Sequence, residues 1–226
     1  MPANLPPRFR LDRTSSRLHD EAGRRFDPVA RCWHAVEAVA GDPHGALRPA
    51  DGGHAVDVLA ALQWLQRGSG CPLRVPIGVI GPRDATADQL AVASAVGELL
   101  GDCSVPLVCG GRHGVMQAVC EGAARVGGVS IGILPDADPA LANPYVTVAL
   151  ATGIGEARNA LIARAAFCLI AIGDSFGTLS EVALGRQFGK LVVGLCGAAR
   201  VEGVRHVATA RDAVHAVALH ILDVQE

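Results

Sequence analysis

The feature that most constrains this chain is an alternation. From Val75 onward, short apolar runs rich in β-branched residues alternate with stretches of helical periodicity. The runs are Val75–Ile80, Val105–Cys109, Val129–Leu134, Tyr145–Leu150, Phe167–Ile172 and Leu191–Leu195, with a shorter one near Val204–Val207. The helical stretches are Thr86–Leu100, Gly114–Val126, Gly155–Ala166, Thr178–Phe188 and Arg211–Leu222. Runs without polar alternation read as strands buried on both faces. Strands that alternate with helices about a dozen residues long imply right-handed crossovers and a parallel sheet. The expected fold is α/β: a Rossmann-like, doubly wound parallel sheet over residues 71–226.

Residues 1–70 read differently, as an N-terminal helical extension. The first 26 residues look irregular and polar. Asp27-Pro28 then pairs an N-cap residue with a proline at the first helical position, which predicts a helix to about Ala40. A Gly/Pro/Asp-rich connection covers Gly41–Gly53, and His54–Arg67 predicts a second helix with Val58, Leu59, Leu62 and Leu65 on one side. Trp33 and Trp64 fall in this pair. They are expected to pack it down, with a lid or partner surface as the alternative.

Charge and residue counts remove several function classes. Lys+Arg is 20 and Asp+Glu is 22, a net charge of −2. Such a balance gives no bulk attraction to nucleic acid or to an anionic membrane. No apolar run approaches the length of a membrane span. Seven cysteines without a C-x-x-C pair suggest a reducing, cytoplasmic compartment. Met1–Arg25 lacks an apolar core and carries Asp12, Asp20 and Glu21, which argues against a signal peptide. Lys190 is the only lysine and opens an apolar run, a poor setting for the Schiff-base lysine of pyridoxal-phosphate enzymes. No hydroxyl residue follows it, so Gly185–Leu191 is no Walker-A loop.

Ligands of open α/β sheets bind beyond the carboxyl ends of the strands. The residues there are Gly81-Pro82-Arg83, Gly110-Gly111-Arg112-His113-Gly114, Gly153–Asn159 and Gly173-Asp174-Ser175-Phe176-Gly177-Thr178, followed by Glu181. Gly110, Gly111 and Gly114 suit close backbone approach and a helix N-terminus that attracts anions. Gly177 and Thr178 do the same at a second helix start. Each is also compatible with an ordinary tight turn. Arg158, expected in the first turn of a helix, opposes the helix dipole, which a bound anion or a carboxylate would offset. Glu181 reads either as a functional carboxylate or as the partner of Thr178 in a capping box. His113 is a possible ligand contact. The eight histidines show no metal-site spacing.

Residues 75–196 resemble the LOG family of Rossmann-fold proteins (also called lysine-decarboxylase-like), closest to its bacterial subgroup with molybdenum-cofactor carriers. The matching stretches are Val108–Met116, Gly155-Glu156-Ala157-Arg158-Asn159 and Gly173–Glu181. The resemblance implies phosphoribohydrolase activity: cleavage of a nucleoside 5′-monophosphate to free base and ribose 5-phosphate, with no required cofactor or metal. It makes Arg158 and Glu181 the catalytic pair, with Gly177 and Thr178 holding the phosphate. Gly81, Arg83, Gly110, Gly111, Arg112, Gly114, Asn159, Gly173 and Asp174 are the further candidate binding residues. Gly173-Asp174-Ser175 replaces the family's Pro-Gly-Gly, and Asn159 replaces its lysine. Asp174 adds a negative charge to the loop and Asn159 removes a positive one from the segment before it, so phosphate binding is expected to be weaker than in the active enzymes. The alternative is therefore a non-catalytic carrier or sensor of a phosphorylated ligand, either a nucleotide monophosphate or molybdenum cofactor. The resemblance also implies a homodimer or homotetramer, and the Ala-rich Ala157–Ala166 stretch could pack against another subunit.

Overall fold

The structure, a computed structural model, describes residues 9–12, 15–36 and 53–224. Two compact units divide the chain: Met1–Pro72 with Ala218–Glu226, and Leu73–Val217.

The first unit is built on an antiparallel sheet. Its strands are β1 (Phe9–Asp12), β2 (Arg17–Asp20), β3 (Arg25–Asp27), β4 (Cys32–His34) and β5 (His54–Val56), in the order β4-β3-β2-β1-β5. Helix α1 (Val58–Arg67) follows, and its N-cap Asp57 accepts from Ala60 N at 2.8 Å. The expected helical pair is thus corrected to a five-stranded sheet and one helix. The reason lies in what Asp27 caps. Its Oδ1 accepts from Val29 N at 2.8 Å and Ala30 N at 3.0 Å, while its carbonyl accepts from Arg31 N at 2.7 Å. Those bonds close a turn, Arg31 takes φ +53°, and Cys32 returns to pair with Asp27. The signals that start a helix thus serve a hairpin here. The irregular reading of residues 1–26 is corrected likewise over β1 to β3, each of which buries one hydrophobe: Phe9, Leu18 or Phe26. Part of the expected first helix and most of the Gly41–Gly53 connection lie outside the described residues.

Trp33 is on a strand, not a helix. Its ring stacks on Phe9 (centroids 5.5 Å apart, 7° between planes) and leans on Phe26 at 5.1 Å. Its Nε1 donates to the Leu222 carbonyl at 2.7 Å, and Trp64 Nε1 donates to Ser16 Oγ at 3.1 Å. Each indole therefore packs its ring, Trp64 buried and Trp33 partly so, and satisfies its one donor.

The second unit is a seven-stranded parallel sheet, as expected. Its strands are β6 (Ile77–Ile80), β7 (Leu107–Cys109), β8 (Ser130–Leu134), β9 (Val148–Ala151), β10 (Leu169–Ile172), β11 (Val192–Leu195) and β12 (Val204–His206). Its helices are α2 (Ala87–Asp102), α3 (Val115–Arg125), α4 (Asn159–Ala165) and α5 (Phe176–Gln187), with α6 (Ala210–Ile221) ending the element order. The strand order is β12-β11-β10-β6-β7-β8-β9. Every residue of β6, β7, β10 and β11 is buried, whereas the edge strands β9 and β12 are partly exposed. Successive strands run outward from β6 in one direction and from β10 in the other. With right-handed crossovers, that reversal places helices on both faces, α2 packing on α3 and α4 on α5. It also opens a crevice where β6 and β10 lie side by side.

Candidate functional site

A cleft of about 580 Å³ lies at the carboxyl ends of β6 and β10, where the strand order reverses. It is lined by the end of β6 and the loop after it, by Gly110 after β7, by Met116 of α3, by the turn leading into α4, and by the loop after β10 with the first turns of α5.

The turn before α4 supplies the central side chain. Gly155–Arg158 forms a 3₁₀ turn, so Arg158 immediately precedes α4 instead of lying within its first turn. The Arg158 side chain is 5% exposed, and its Nη1 donates to Glu181 Oε1 at 3.3 Å. A Cβ on Gly110 would lie 2.5 and 2.7 Å from the two terminal guanidinium nitrogens of Arg158. Glycine at 110 is thus what lets the guanidinium lie against the end of β7. The carboxylate expected to balance Arg158 is that of Glu181, itself 7% exposed.

Burial pushes the Glu181 carboxyl up to about 8, with the neighbouring Glu156 charge adding to the shift and Arg158 opposing it. Near neutral pH the pair is therefore an arginine beside a largely protonated carboxyl group. The capping-box reading of Glu181 does not match the geometry. Helix α5 is capped by Ser175, whose Oγ accepts from Thr178 N at 3.1 Å. Thr178 is the residue whose amide is capped, and its hydroxyl lies 2.8 Å from Ser175 Oγ.

Gly177 is the second residue of α5 and lines the cleft. A Cβ there would meet no protein atom closer than 3.8 Å. Nothing in the protein excludes a side chain at this position, so the bare Cα leaves room on the cleft side at a helix N-terminus. Asn159 sits opposite, donating from Nδ2 to Ser180 Oγ at 2.9 Å. Two buried polar atoms of cleft residues, Arg158 Nε and Asn159 Oδ1, have no hydrogen-bond partner within the protein. Such groups are rare in folded proteins and suit a ligand that supplies the partner.

Gly81, Arg83, Gly110, Arg158, Asn159, Asp174, Gly177, Thr178 and Glu181 all line the cleft. Gly111, Arg112, Gly114, Gly173 and His113 lie outside its lining. Each has another task. Gly111 (φ +68°) lies against the backbone of Gly132. Arg112 pairs through Nη1 with Asp136. Gly114 packs on the carbonyls of Pro82 and Arg83, and Pro82 O already accepts from Val115 N, the first amide of α3, at 3.1 Å. Gly173 N donates to the Leu195 carbonyl, and His113 Nδ1 lies 3.3 Å from Gln117 Oε1.

Glu156 and Phe176 were not singled out from the sequence, yet both line the cleft. Glu156 Oε1 accepts from Arg83 Nη2 at 2.8 Å. Phe176 is 96% exposed. Its place at the start of α5, beside Gly177, was the one available signal.

Among the described residues, no three His, Cys, Asp or Glu side chains are grouped to hold a metal ion. No described helix is long and apolar enough to cross a membrane. Lys190 Nζ donates to the carbonyls of Ala166 and, at 3.0 Å, Arg164. It ties down the end of α4 and does not line the cleft.

Known proteins share this architecture. The molybdenum cofactor binding protein of the phototrophic bacterium Rippkaea orientalis superposes with a TM-score of 0.63 at 32% identity, covering 66% of this chain and 99% of that one. The molybdenum cofactor carrier protein of Chlamydomonas reinhardtii gives a TM-score of 0.60 at 33% identity, covering 66% and 99%. A protein of Archaeoglobus fulgidus is 37% identical over 139 residues, which is 62% of this chain and 91% of that one. All of them match a stretch close in length to the α/β unit and leave about a third of the chain unmatched. Residues 74–220 match the SLOG cluster4 family, and this chain belongs to that family.

Proposed function

We propose that the cleft binds a small phosphorylated heterocycle and that the protein is a carrier of molybdenum cofactor. The observation that carries this reading is the cradle at Gly177. It combines the N-terminus of α5, capped by Ser175 at Thr178 N, with a glycine that no protein atom requires. A phosphate there meets backbone N–H groups and the positive end of α5. The unpartnered Arg158 Nε and Asn159 Oδ1 fit a pterin, whose ring offers both acceptors and donors. The molybdenum cofactor proteins of Rippkaea and Chlamydomonas, matched over nearly their whole lengths, support the same ligand class.

The test is equilibrium binding of molybdenum cofactor by the full chain under anaerobic conditions. Saturable binding that Arg158→Ala abolishes is the expected result. Its absence rejects the carrier.

A second reading, phosphoribohydrolase, is favoured by the Arg158–Glu181 pair. With its carboxyl pushed up to about 8, Glu181 holds a proton it could give to the departing base nitrogen. The C1′–N bond would break with Arg158 balancing the charge left on Glu181, and water would then add its hydroxyl to C1′ and return its other proton to the Glu181 carboxylate. Release of free base from a nucleoside 5′-monophosphate, lost in Glu181→Gln, would establish this chemistry.

We also infer a homo-oligomer. Exposed Leu161 on α4 and Phe176 and Leu179 on α5 are apolar surface that a second copy would cover. Light scattering at micromolar concentration tests it, and a monomer would reject it. Seven cysteines, none in a disulfide, support a reducing cytoplasmic location.

A further inference from the structure

Besides the α5 N-terminus, the cleft presents two arginines with one of the protein's own carboxylates between them. Arg83 and Arg158 both line the cleft, and Glu156 stands between them. Glu156 Oε1 lies 2.8 Å from Arg83 Nη2, and Oε2 lies 3.9 Å from Arg158 Nη2. Each carboxylate oxygen thus faces one guanidinium. Two arginines that share a cleft repel each other unless an anion lies between them.

The three members differ in how firmly they are held. The Arg158 side chain is 5% exposed and already bound to Glu181, so it is fixed. Arg83 is 48% exposed and Glu156 63% exposed. An ion pair between such side chains contributes little and is readily broken. The longer contact to Arg158 leaves that guanidinium incompletely satisfied, as does its unpartnered Nε.

We propose that Arg83 and Arg158 form a clamp that acts together with the α5 N-terminus on one tetrahedral oxyanion, the phosphate monoester of the ligand, and that Glu156 is a displaceable plug in that clamp. This assignment rests on the reading that the ligand is phosphorylated. A phosphate dianion brings more oxygens and more charge than the carboxylate it replaces, and it matches the planar fork of arginine. Displacement frees Glu156 to solvent. The incoming charge then takes the place of Glu156 beside Glu181, so the latter stays protonated as the cleft fills. The plug also sets selectivity, because an anion must out-compete a tethered carboxylate to enter.

The probe is inorganic phosphate, titrated calorimetrically into the full chain, into Glu156→Gln and into Arg83→Gln. Both substitutions are at exposed positions and leave the core untouched. Glu156→Gln should bind phosphate about three- to tenfold more tightly, because the competitor loses its charge. Arg83→Gln should bind it more weakly by a similar factor. Unchanged or weaker binding by Glu156→Gln overturns the plug. Unchanged binding by Arg83→Gln, or no phosphate binding by any form, overturns the clamp. If molybdenum cofactor binds while this order fails, the clamp is rejected and the ligand reading stands. If the order holds while neither molybdenum cofactor nor a nucleotide binds, the clamp stands and the ligand reading is rejected.

Discussion

Arg158 Nη1 donates to Glu181 Oε1 at 3.3 Å, and the two side chains are 5% and 7% exposed. The pair joins the turn before α4 to the second turn of α5 across the mouth of the switch-point crevice. A hydrogen-bonded pair this buried resists being left half-made: removing Glu181 strands the Arg158 donor, and removing Arg158 strands the Glu181 carboxyl, in a dry environment.

This pair makes stability depend on pH in a defined direction. Burial raises the Glu181 carboxyl to about 8 from an ordinary value of 4.5. Between those values the folded form keeps a proton that the unfolded chain has lost. Stability from this group is therefore complete below about 4.5 and declines as pH rises through about 8. The expected melting temperature of wild type falls over that interval relative to Glu181→Gln, which lacks the titrating group. Parallel pH profiles for the two proteins would refute the assignment.

Gly110 should be intolerant of a methyl group, since its Cβ would lie 2.5 Å from Arg158 Nη2. Gly110→Ala is expected to push the guanidinium aside, at a stability cost of about 1–3 kcal/mol. Ligand affinity should fall by about one to two orders of magnitude, as for loss of a charged hydrogen bond. Urea unfolding and calorimetry measure the two effects separately.

Gly177 should behave in the opposite way. A Cβ there has ordinary contacts only, the nearest at 3.8 Å. Gly177→Ala is expected to keep or raise stability, by up to about 1 kcal/mol from helix propensity. It should nevertheless weaken phosphate binding at least about tenfold by filling the approach to the α5 amides. A variant that binds normally would show that no ligand uses this cradle.

In the first unit, Phe26 is 2% exposed and touches both tryptophan rings, with centroids 5.1 Å from Trp33 and 6.5 Å from Trp64. Phe26→Ala should destabilise that unit by about 3–5 kcal/mol. The chain has only these two tryptophans. Their emission should therefore move to longer wavelength, and an unshifted spectrum would contradict the packing.

The α/β unit was legible because parallel strands buried on both faces read as uninterrupted apolar runs. Ile77–Ile80 and Leu169–Ile172 are buried at every position. The strands of the first unit were not legible. Phe9–Asp12, Arg17–Asp20 and Arg25–Asp27 are three or four residues long, each with one buried hydrophobe, too short to show a period. Asp27-Pro28 pointed the wrong way because one side-chain acceptor caps helices and turns alike.

Within the site, Arg158 and Glu181 stood out by motif, and the structure places them in contact. Arg112, beside two glycines, was a candidate binding residue. Its partner Asp136 is 24 residues away, and no local pattern announces such a pairing. Gly111 and Gly114 carry the same letter as Gly177 but answer to neighbouring backbone, a distinction that only three-dimensional packing reveals.

On the proposed reading, this cleft holds a phosphorylated heterocycle through Arg158 and the α5 N-terminus. Anaerobic calorimetric titration of molybdenum cofactor into wild type and Gly177→Ala tests it most directly. The expected result is saturable binding, one ligand per chain, weakened at least about tenfold in a variant that remains fully folded. No saturable binding by wild type, or equal binding by both proteins, would contradict it.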